Sequence, residues 1–168
     1  MAHLAPTDHQ KMLDQLARHE ESRKLKYHTA YRCTAGALTI GYGHNLDANP
    51  LPGVDANSRL TDGEAKMILN DDVAAVEKQI KSRLPWALDL APARYAVLVN
   101  MAFNLGIAGL MKFTNTLMFV QSGHYTHAAN NMMQSLWAKQ VGDGPGGYFD
   151  RAEELSAQMK SGEWQCKK

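Results

Sequence analysis

Two adjacent carboxyls, Glu20 and Glu21, open the segment whose residue types and spacing favour chemistry most strongly. They close an amphipathic helix and are followed at once by a glycine-punctuated stretch from Tyr27 to His44. A carboxyl in that position can lie over a hairpin at the mouth of a cleft, which suits a general acid. Because adjacent helical residues point about 100° apart, only one of the two can face the cleft. The competing interpretation is a solvated glutamate at a helix end, since most carboxylates are exposed and have no catalytic role.

The first elements that must position these carboxyls are a helix and a small sheet. The residues Thr7 to Gln10 have the form of a capping box, and apolar residues recur after them at helical spacing. This pattern predicts a first helix from Asp8 to near Ser22. Aromatic and β-favouring residues punctuated by glycines then predict a short antiparallel hairpin or a three-stranded meander between Tyr27 and His44.

A second capping box predicts a long helix in the middle of the chain. Residues 45–60 contain prolines, a glycine and several Asn and Asp residues, which is typical of a loop. The capping box from Thr61 to Glu64 follows it, and a broad apolar face predicts a helix from Asp62 to about Ser82.

The remainder of the chain is predicted to be all helical. Pro92 opens a helix that runs to Leu105 and that Gly106 terminates. Shorter helices are expected near 107–112, 115–122, 124–139 and 150–160, with a glycine-rich loop at 142–147. The order of elements predicts an α+β protein with segregated elements. We expect one domain, with lobes at about 1–60 and 83–168 joined by the helix at about 62–82.

Composition and charge exclude several classes of function. The 168 residues include 18 Lys and Arg against 17 Asp and Glu, so the net charge of +1 disfavours a nucleic-acid partner. The two cysteines show no CxxC spacing, and we expect neither a secretory signal nor a membrane span. His124 and His127 share helical spacing, but no third ligand accompanies them, so we expect no metal and no cofactor.

A longer run of residues resembles the T-even phage-type lysozymes, a family of glycoside hydrolases. Glu21 stands four residues before Leu25, and the stretch from Ala30 to His44 matches the hairpin motif of that family. The likeness covers about residues 10 to 164 and continues through Leu60 to Ala65, Leu69 to Val73, Asn100 to Gly106, Phe113 to Thr116, Trp137, and Arg151 to Glu153. It implies a lysozyme-like fold, in which a long helix joins a small lobe with a short antiparallel sheet to a helical C-terminal lobe.

The resemblance implies a lysozyme that hydrolyses the β-1,4 bond between N-acetylmuramic acid and N-acetylglucosamine in peptidoglycan. It assigns the general acid to Glu21, whose pKa would have to be raised for that role. Cys33 takes the place where the family usually has Asp, and it orients a water together with Thr39. The interval from Glu21 to Cys33 is longer than in the family, which places a three-residue insertion between Lys26 and Tyr31. As an alternative to catalysis, Cys33 is a small buried hydrophobic residue.

The resemblance also assigns supporting roles, each with a plainer structural alternative. The expected sugar-binding residues are Asn45, Phe103, Thr116 and Asn131, for which the alternatives are a core position for Phe103 and a cap or surface position for Thr116 and Asn131. His44 and Asp72 are expected to form a structural ion pair that joins the hairpin to the long helix. Arg151 is expected near the catalytic glutamate, and an ordinary arginine at a helix N-terminus is its alternative.

The resemblance leads to a leading and a second hypothesis about the biology. The leading one is a monomeric phage or prophage endolysin, which is made in the host cytoplasm and reaches the periplasm and cell wall after a holin opens the membrane. Its partner is bacterial peptidoglycan. The second hypothesis is a catalytically inactive peptidoglycan-binding or toxin-associated module of the same fold.

Overall fold

A computed structural model describes residues 3–21, 28–33, 36–141 and 151–165. The described residues form these elements: helix α1 (Pro6–Glu21), strands β1 (Tyr31–Arg32), β2 (Leu38–Ile40) and β3 (His44–Asn45), helix α2 (Asp62–Arg83), a 3-10 turn (Pro85–Asp89), and helices α3 (Pro92–Met111), α4 (Thr114–Gln121), α5 (Tyr125–Met133), α6 (Leu136–Val141) and α7 (Arg151–Ser161). The predicted α+β class with segregated elements is confirmed.

The chain divides into two compact units. The sheet unit is Leu13–Ala75, and the helical unit combines Met1–Met12 with Val76–Lys168. Helices α1 and α2 therefore contribute residues to both units.

The sheet unit contains the predicted three-stranded meander. The strand order is β1-β2-β3 and both pairings are antiparallel. Gly41 and Gly43, with φ of 62° and 84°, form the tight turn between β2 and β3, where a side chain would strain the backbone. The predicted three-residue insertion falls partly on residues 22–27, which lie outside the described residues.

The two predicted capping boxes have different outcomes. At α2 the prediction is confirmed, because the Thr61 backbone N–H donates to Glu64 Oε1 over 3.1 Å and the Glu64 N–H donates to Thr61 Oγ1 over 3.1 Å. At α1 the prediction is wrong, because the helix already begins at Pro6. The His9 N–H donates to the Ala5 carbonyl over 2.9 Å. Proline has its φ preset for the first helical position, which explains the earlier start.

Helix α3 forms the core of the helical unit. It begins at Pro92 as predicted, and it buries Val97, Leu98, Met101 and Ala102, whose exposures are 0–1%. Gly106 interrupts the helix with φ 76° and ψ 161°, and the chain resumes a helical course to Met111. The predicted termination at Gly106 is therefore a kink within one longer segment.

By length and composition, α3 is the one helix in the described part of the chain that could cross a membrane. Half of its most apolar window is buried inside the protein. Because a core helix meets the same criteria, the expected absence of a membrane span stays a prediction.

The single helix predicted at 124–139 is wrong, since the chain forms α5 and α6 there. Ser135 lies between them, donates its hydroxyl to the Met132 carbonyl over 2.6 Å, and accepts from the Ala138 N–H over 3.2 Å. A serine that bonds to the backbone on both sides competes with a continuous helix.

The 3-10 turn at Pro85–Asp89 was not predicted, and the predicted loop at 142–147 lies outside the described residues.

Candidate active site

Thr39 lies at the centre of the sheet. It is on the middle strand, where it pairs with Tyr31 of β1 on one side and with Asn45 of β3 on the other. Its side chain is 4% exposed, and its hydroxyl donates to the Ala37 carbonyl over 3.1 Å. A buried hydroxyl with a fixed donor direction can hold a water in one orientation.

Cys33 lies at the start of the turn that joins β1 to β2. Its N–H donates to the Ala37 carbonyl over 3.0 Å, and its own carbonyl accepts from the Gly36 N–H over 2.8 Å. The residue is half-buried and its sulfur is a thiol. This partial exposure argues against the alternative in which Cys33 is a buried packing residue.

Tyr31 brings these two residues to one place. It is the cross-strand partner of Thr39, and its hydroxyl lies within electrostatic range of Cys33. Burial is the largest cause that raises the pKa of Tyr31, and the charges of Glu20 and Cys33 raise it further. Sequence analysis did not single out Tyr31, although its spacing within the predicted hairpin places it opposite Thr39.

The two carboxyls at the end of α1 differ in what the structure describes. Glu20 is 7% exposed, and its charge acts on the Tyr31 hydroxyl. Glu21 is the last residue of α1, and its side chain lies outside the description. Glu20 follows the fully buried Leu16 by four residues, so both occupy the buried face of the helix. The apolar stripe of the sequence does not choose between the two carboxyls, and the assignment of the acid to Glu21 stays a prediction.

His44 and Asp72 form an ion pair within the sheet unit. His44 Nδ1 lies 2.8 Å from Asp72 Oδ2, and Nε2 lies 2.7 Å from the Asn49 carbonyl oxygen. Both ring nitrogens face acceptors, so both must donate, which favours the imidazolium. The hydrogen bond to Asp72 is the main cause that raises the pKa of His44, while burial acts against it.

Asp72→Asn is expected to lower the free energy of unfolding by about 2 kcal/mol near pH 6, because a bond to a charged group is lost. A histidine whose folded pKa is raised stabilises fully below its unfolded value of about 6.5, and this contribution disappears as pH rises through the folded pKa. The difference between wild type and variant should therefore shrink above neutral pH in urea unfolding. Asp71→Asn, at an exposed neighbouring position on α2, is the matched control. A pH-independent difference would contradict the charged pair.

Asn45 lies on β3, where it is the cross-strand partner of Thr39, and it is half-buried. Its amide oxygen accepts from the Ala48 N–H over 3.0 Å. The amide NH₂ group is then the part of this side chain suited to donate to a ligand.

In the helical unit, the structure brings Thr116 and Asn131 together. Thr116 is completely buried, and its hydroxyl donates to Asn131 Oδ1 over 2.6 Å. Asn131 lines a pocket of about 240 Å³ whose other lining residues are Lys112, Phe113, Thr114, Asn115 and Ser135. Thr116 thus holds the amide of Asn131, which faces the pocket.

Phe103 and Arg151 have contrasting environments. Phe103 is half-buried on α3, so part of its ring stays accessible. Arg151 begins α7, is 0% exposed, and donates its Nε–H to Asn100 Oδ1 over 2.8 Å. This burial argues against an ordinary surface arginine at a helix N-terminus. The expected role of Arg151 beside the catalytic glutamate stays a prediction.

The described residues include no group of three His, Cys, Asp or Glu side chains that could hold a metal ion. His124 and His127 have ring centroids 6.0 Å apart, and the Nδ1 atom of His124 bonds the Ser122 hydroxyl.

The fold and this site define a class of protein. A model of the phage lysozyme family matches residues 21–154, which is most of the chain. The chain therefore belongs to the phage lysozyme family, and the resemblance to T-even phage-type lysozymes is confirmed.

Individual relatives agree with this membership at low identity. The chain is 28% identical over 130 residues to an endolysin of Bacillus phage B103, which covers 74% of this chain and 44% of that protein. It is 28% identical over 125 residues to an endolysin of Acyrthosiphon pisum secondary endosymbiont phage 1, and this match covers 74% of this chain and 75% of that protein. It is also similar to the pre-baseplate central spike protein Gp5 of Enterobacteria phage T4, at 27% identity over 76% of this chain and 25% of that protein. The chain thus spans less than half of the first of these relatives.

Proposed function

We propose that this protein is a lysozyme that hydrolyses β-1,4 bonds between N-acetylmuramic acid and N-acetylglucosamine in peptidoglycan. One observation carries the proposal beyond family membership. Within the sheet unit, the end of α1 and the Cys33 thiol act on the hydroxyl of Tyr31, which is the cross-strand partner of the buried Thr39. A proton donor and a pair of groups that hold water are what glycoside hydrolysis needs.

In this proposal the carboxyl protonates the glycosidic oxygen as the bond to the anomeric carbon breaks. A water held by Cys33 and Thr39 attacks that carbon from the opposite face and loses a proton to solvent. The products are a new reducing end and a free hydroxyl on the leaving sugar, with inversion at the anomeric carbon. An ordinary thiol with a pKa of about 8.5 is mostly neutral at pH 7, so Cys33 positions water more than it supplies charge.

Two positions compete for the role of the acid. The distance to Leu25 in the family motif favours Glu21. Glu20 lies on the buried face of α1 and its charge acts on Tyr31, so it is the alternative. We propose Glu21 on the ground of the spacing to Leu25, and the two variants described in the Discussion decide between the positions.

The proposed reaction predicts that the purified protein releases reducing sugar ends from purified Gram-negative peptidoglycan. Reducing ends and free amines should be measured in the same digest, because an amidase or peptidase would release amines instead. Release of amines without reducing ends would contradict the proposal. Binding to peptidoglycan without any turnover, unchanged in Glu21→Gln, would instead support an inactive peptidoglycan-binding or toxin-associated module.

The phage endolysins among the relatives support a further part of the proposal. The protein is made in the host cytoplasm, and a holin gives it access to the periplasm and cell wall. Expression in bacteria should then leave the culture turbid until chloroform opens the membrane, with Glu21→Gln as the inactive control. Lysis that begins before permeabilisation would contradict this route.

A further inference from the structure

We propose that His124 and His127 together bind one divalent transition-metal ion at the turn that joins α4 to α5. The inference is independent of the proposed hydrolysis, because neither residue belongs to the candidate active site. It rests on the position of the two imidazole rings, on the hydrogen bond that one of them makes to a serine, and on their exposure to solvent.

The backbone holds both histidines at the start of α5. His124 is the N-cap residue of this helix; its N–H donates to the Phe119 carbonyl over 2.8 Å, and its carbonyl accepts from the Ala128 N–H over 3.0 Å. His127 follows three residues later, so the two side chains are neighbours on the first turn. The ring of His127 packs edge-on against Phe119 of α4, with centroids 5.4 Å apart. Both ligands are therefore placed by the fold before an ion binds.

The Ser122 hydroxyl determines which nitrogen of His124 carries the proton. The serine oxygen lies 2.8 Å from the Met118 carbonyl oxygen and 3.2 Å from the Phe119 carbonyl oxygen, and because carbonyls only accept, its single hydrogen is used there. His124 Nδ1, which is 2.9 Å away, must then donate to the serine oxygen. In the neutral ring this leaves the lone pair on Nε2, the form that binds a metal. Metal-binding histidines commonly donate their other ring N–H in this way.

The separation of the two rings suits a shared ion. A zinc–nitrogen bond of about 2.1 Å places each ring centroid roughly 3 Å from the ion, so two rings that bind it at the tetrahedral angle lie about 5 Å apart. The centroids of His124 and His127 are 6.0 Å apart, and the ring planes are tilted by 37°. Because both side chains are exposed, a small rotation closes the remaining distance. The described residues supply no third ligand of the His, Cys, Asp or Glu type, so water completes the coordination.

The two donors select the class of ion. Neutral imidazole suits Zn²⁺, Cu²⁺ and Ni²⁺, whereas Mg²⁺ and Ca²⁺ prefer oxygen ligands. A single histidine binds such ions weakly, and the gain in affinity comes from holding two rings on one backbone, since the second bond is then intramolecular. Removal of either ring should therefore abolish most of the affinity.

The test is isothermal titration calorimetry of the full chain with ZnCl₂ in a buffer that does not bind zinc. His124→Gln and His127→Gln should each weaken the binding of the first equivalent by more than about tenfold. The double variant should bind no more weakly than the single variants, because either change breaks the shared coordination. Ser122→Ala should weaken binding by about tenfold, the low end of the effect of a group that orients a metal ligand.

His3→Gln is the matched control. His3 is also exposed and also packs edge-on against an aromatic ring, that of Tyr95. Its replacement removes one imidazole of the same kind and should leave the affinity for the first equivalent of zinc unchanged.

NMR of the histidine rings locates the bound ion. The signals of His124 and His127 should shift together as the first equivalent of zinc is added. The signals of His44 should stay in place, because both of its ring nitrogens already bond to Asp72 and to the Asn49 carbonyl.

Absence of zinc binding in the wild type, or equal affinity in the wild type and the double variant, would overturn the inference. Loss of affinity in only one of the two single variants would overturn shared coordination. Binding of half an equivalent per chain, with a doubled hydrodynamic size, would overturn the single-chain site in favour of an ion held between two copies.

Discussion

Glu21→Gln is expected to reduce the release of reducing ends by about a thousandfold, within the range that a general acid contributes. Glutamine has nearly the same shape as glutamate but has no acidic proton to give to the glycosidic oxygen. The folded protein should tolerate the change, because Glu21 is the last residue of α1 and the substitution conserves its volume. Reducing-end assays and thermal unfolding of the same preparations measure both effects.

Glu20→Gln is the matched control for this prediction. The two residues are adjacent and carry the same group, but they point about 100° apart on α1. Glu20→Gln should therefore keep activity within about twofold of wild type. The opposite pattern, with Glu21→Gln active and Glu20→Gln inactive, would assign the acid to Glu20, whose side chain is buried and acts on Tyr31.

Cys33→Ala is expected to lose about a hundredfold in activity, the scale of effect that a misplaced reactant produces. Cys33→Asp should stay active, because a carboxylate can hold the same water and also stabilise positive charge on the sugar. Both variants should be made with Cys166→Ser, since the chain contains only two cysteines and Cys33 is then the sole thiol.

Alkylation provides a second measurement on the Cys166→Ser protein. Cys33 is half-buried, so a small alkylating reagent should reach it and inactivate the folded protein. A chitooligosaccharide bound at the site should slow the inactivation. Full activity in Cys33→Ala, or alkylation without loss of activity, would show that Thr39 or another group holds the water.

The sequence predicts local structure well where the residues of one short motif determine the backbone conformation or hydrogen bonds of that same segment. The capping box at Thr61 and the glycine turn between β2 and β3 are such motifs, and both occur as expected. The same kind of box at Thr7 fails because Pro6 starts the helix earlier. The division between α5 and α6 depends on the side-chain bonds of Ser135, which helical periodicity does not reveal.

The candidate site shows a similar division. The hairpin motif places Cys33 and Thr39 within one short segment, because their spacing belongs to a single turn and strand. The environments of Glu20 and Tyr31 depend instead on contacts between elements. The burial of Glu20 depends on the rotation of α1 about its axis, and the position of Tyr31 depends on its register with Thr39. Neither quantity follows from a motif that is matched by linear spacing.

Each ring nitrogen of His44 has a hydrogen bond, so the two N–H protons of this ring are a natural spectroscopic label for the sheet unit. Ring protons held by Asp72 and by the Asn49 carbonyl should resonate far downfield and vanish when that unit opens. The helical unit has its own label, the Trp137 indole N–H that donates to Asn104 Oδ1 over 3.0 Å. A single heating experiment can thus follow both halves of the chain without added dyes, and coincident loss of the two signals would identify one cooperative unfolding body.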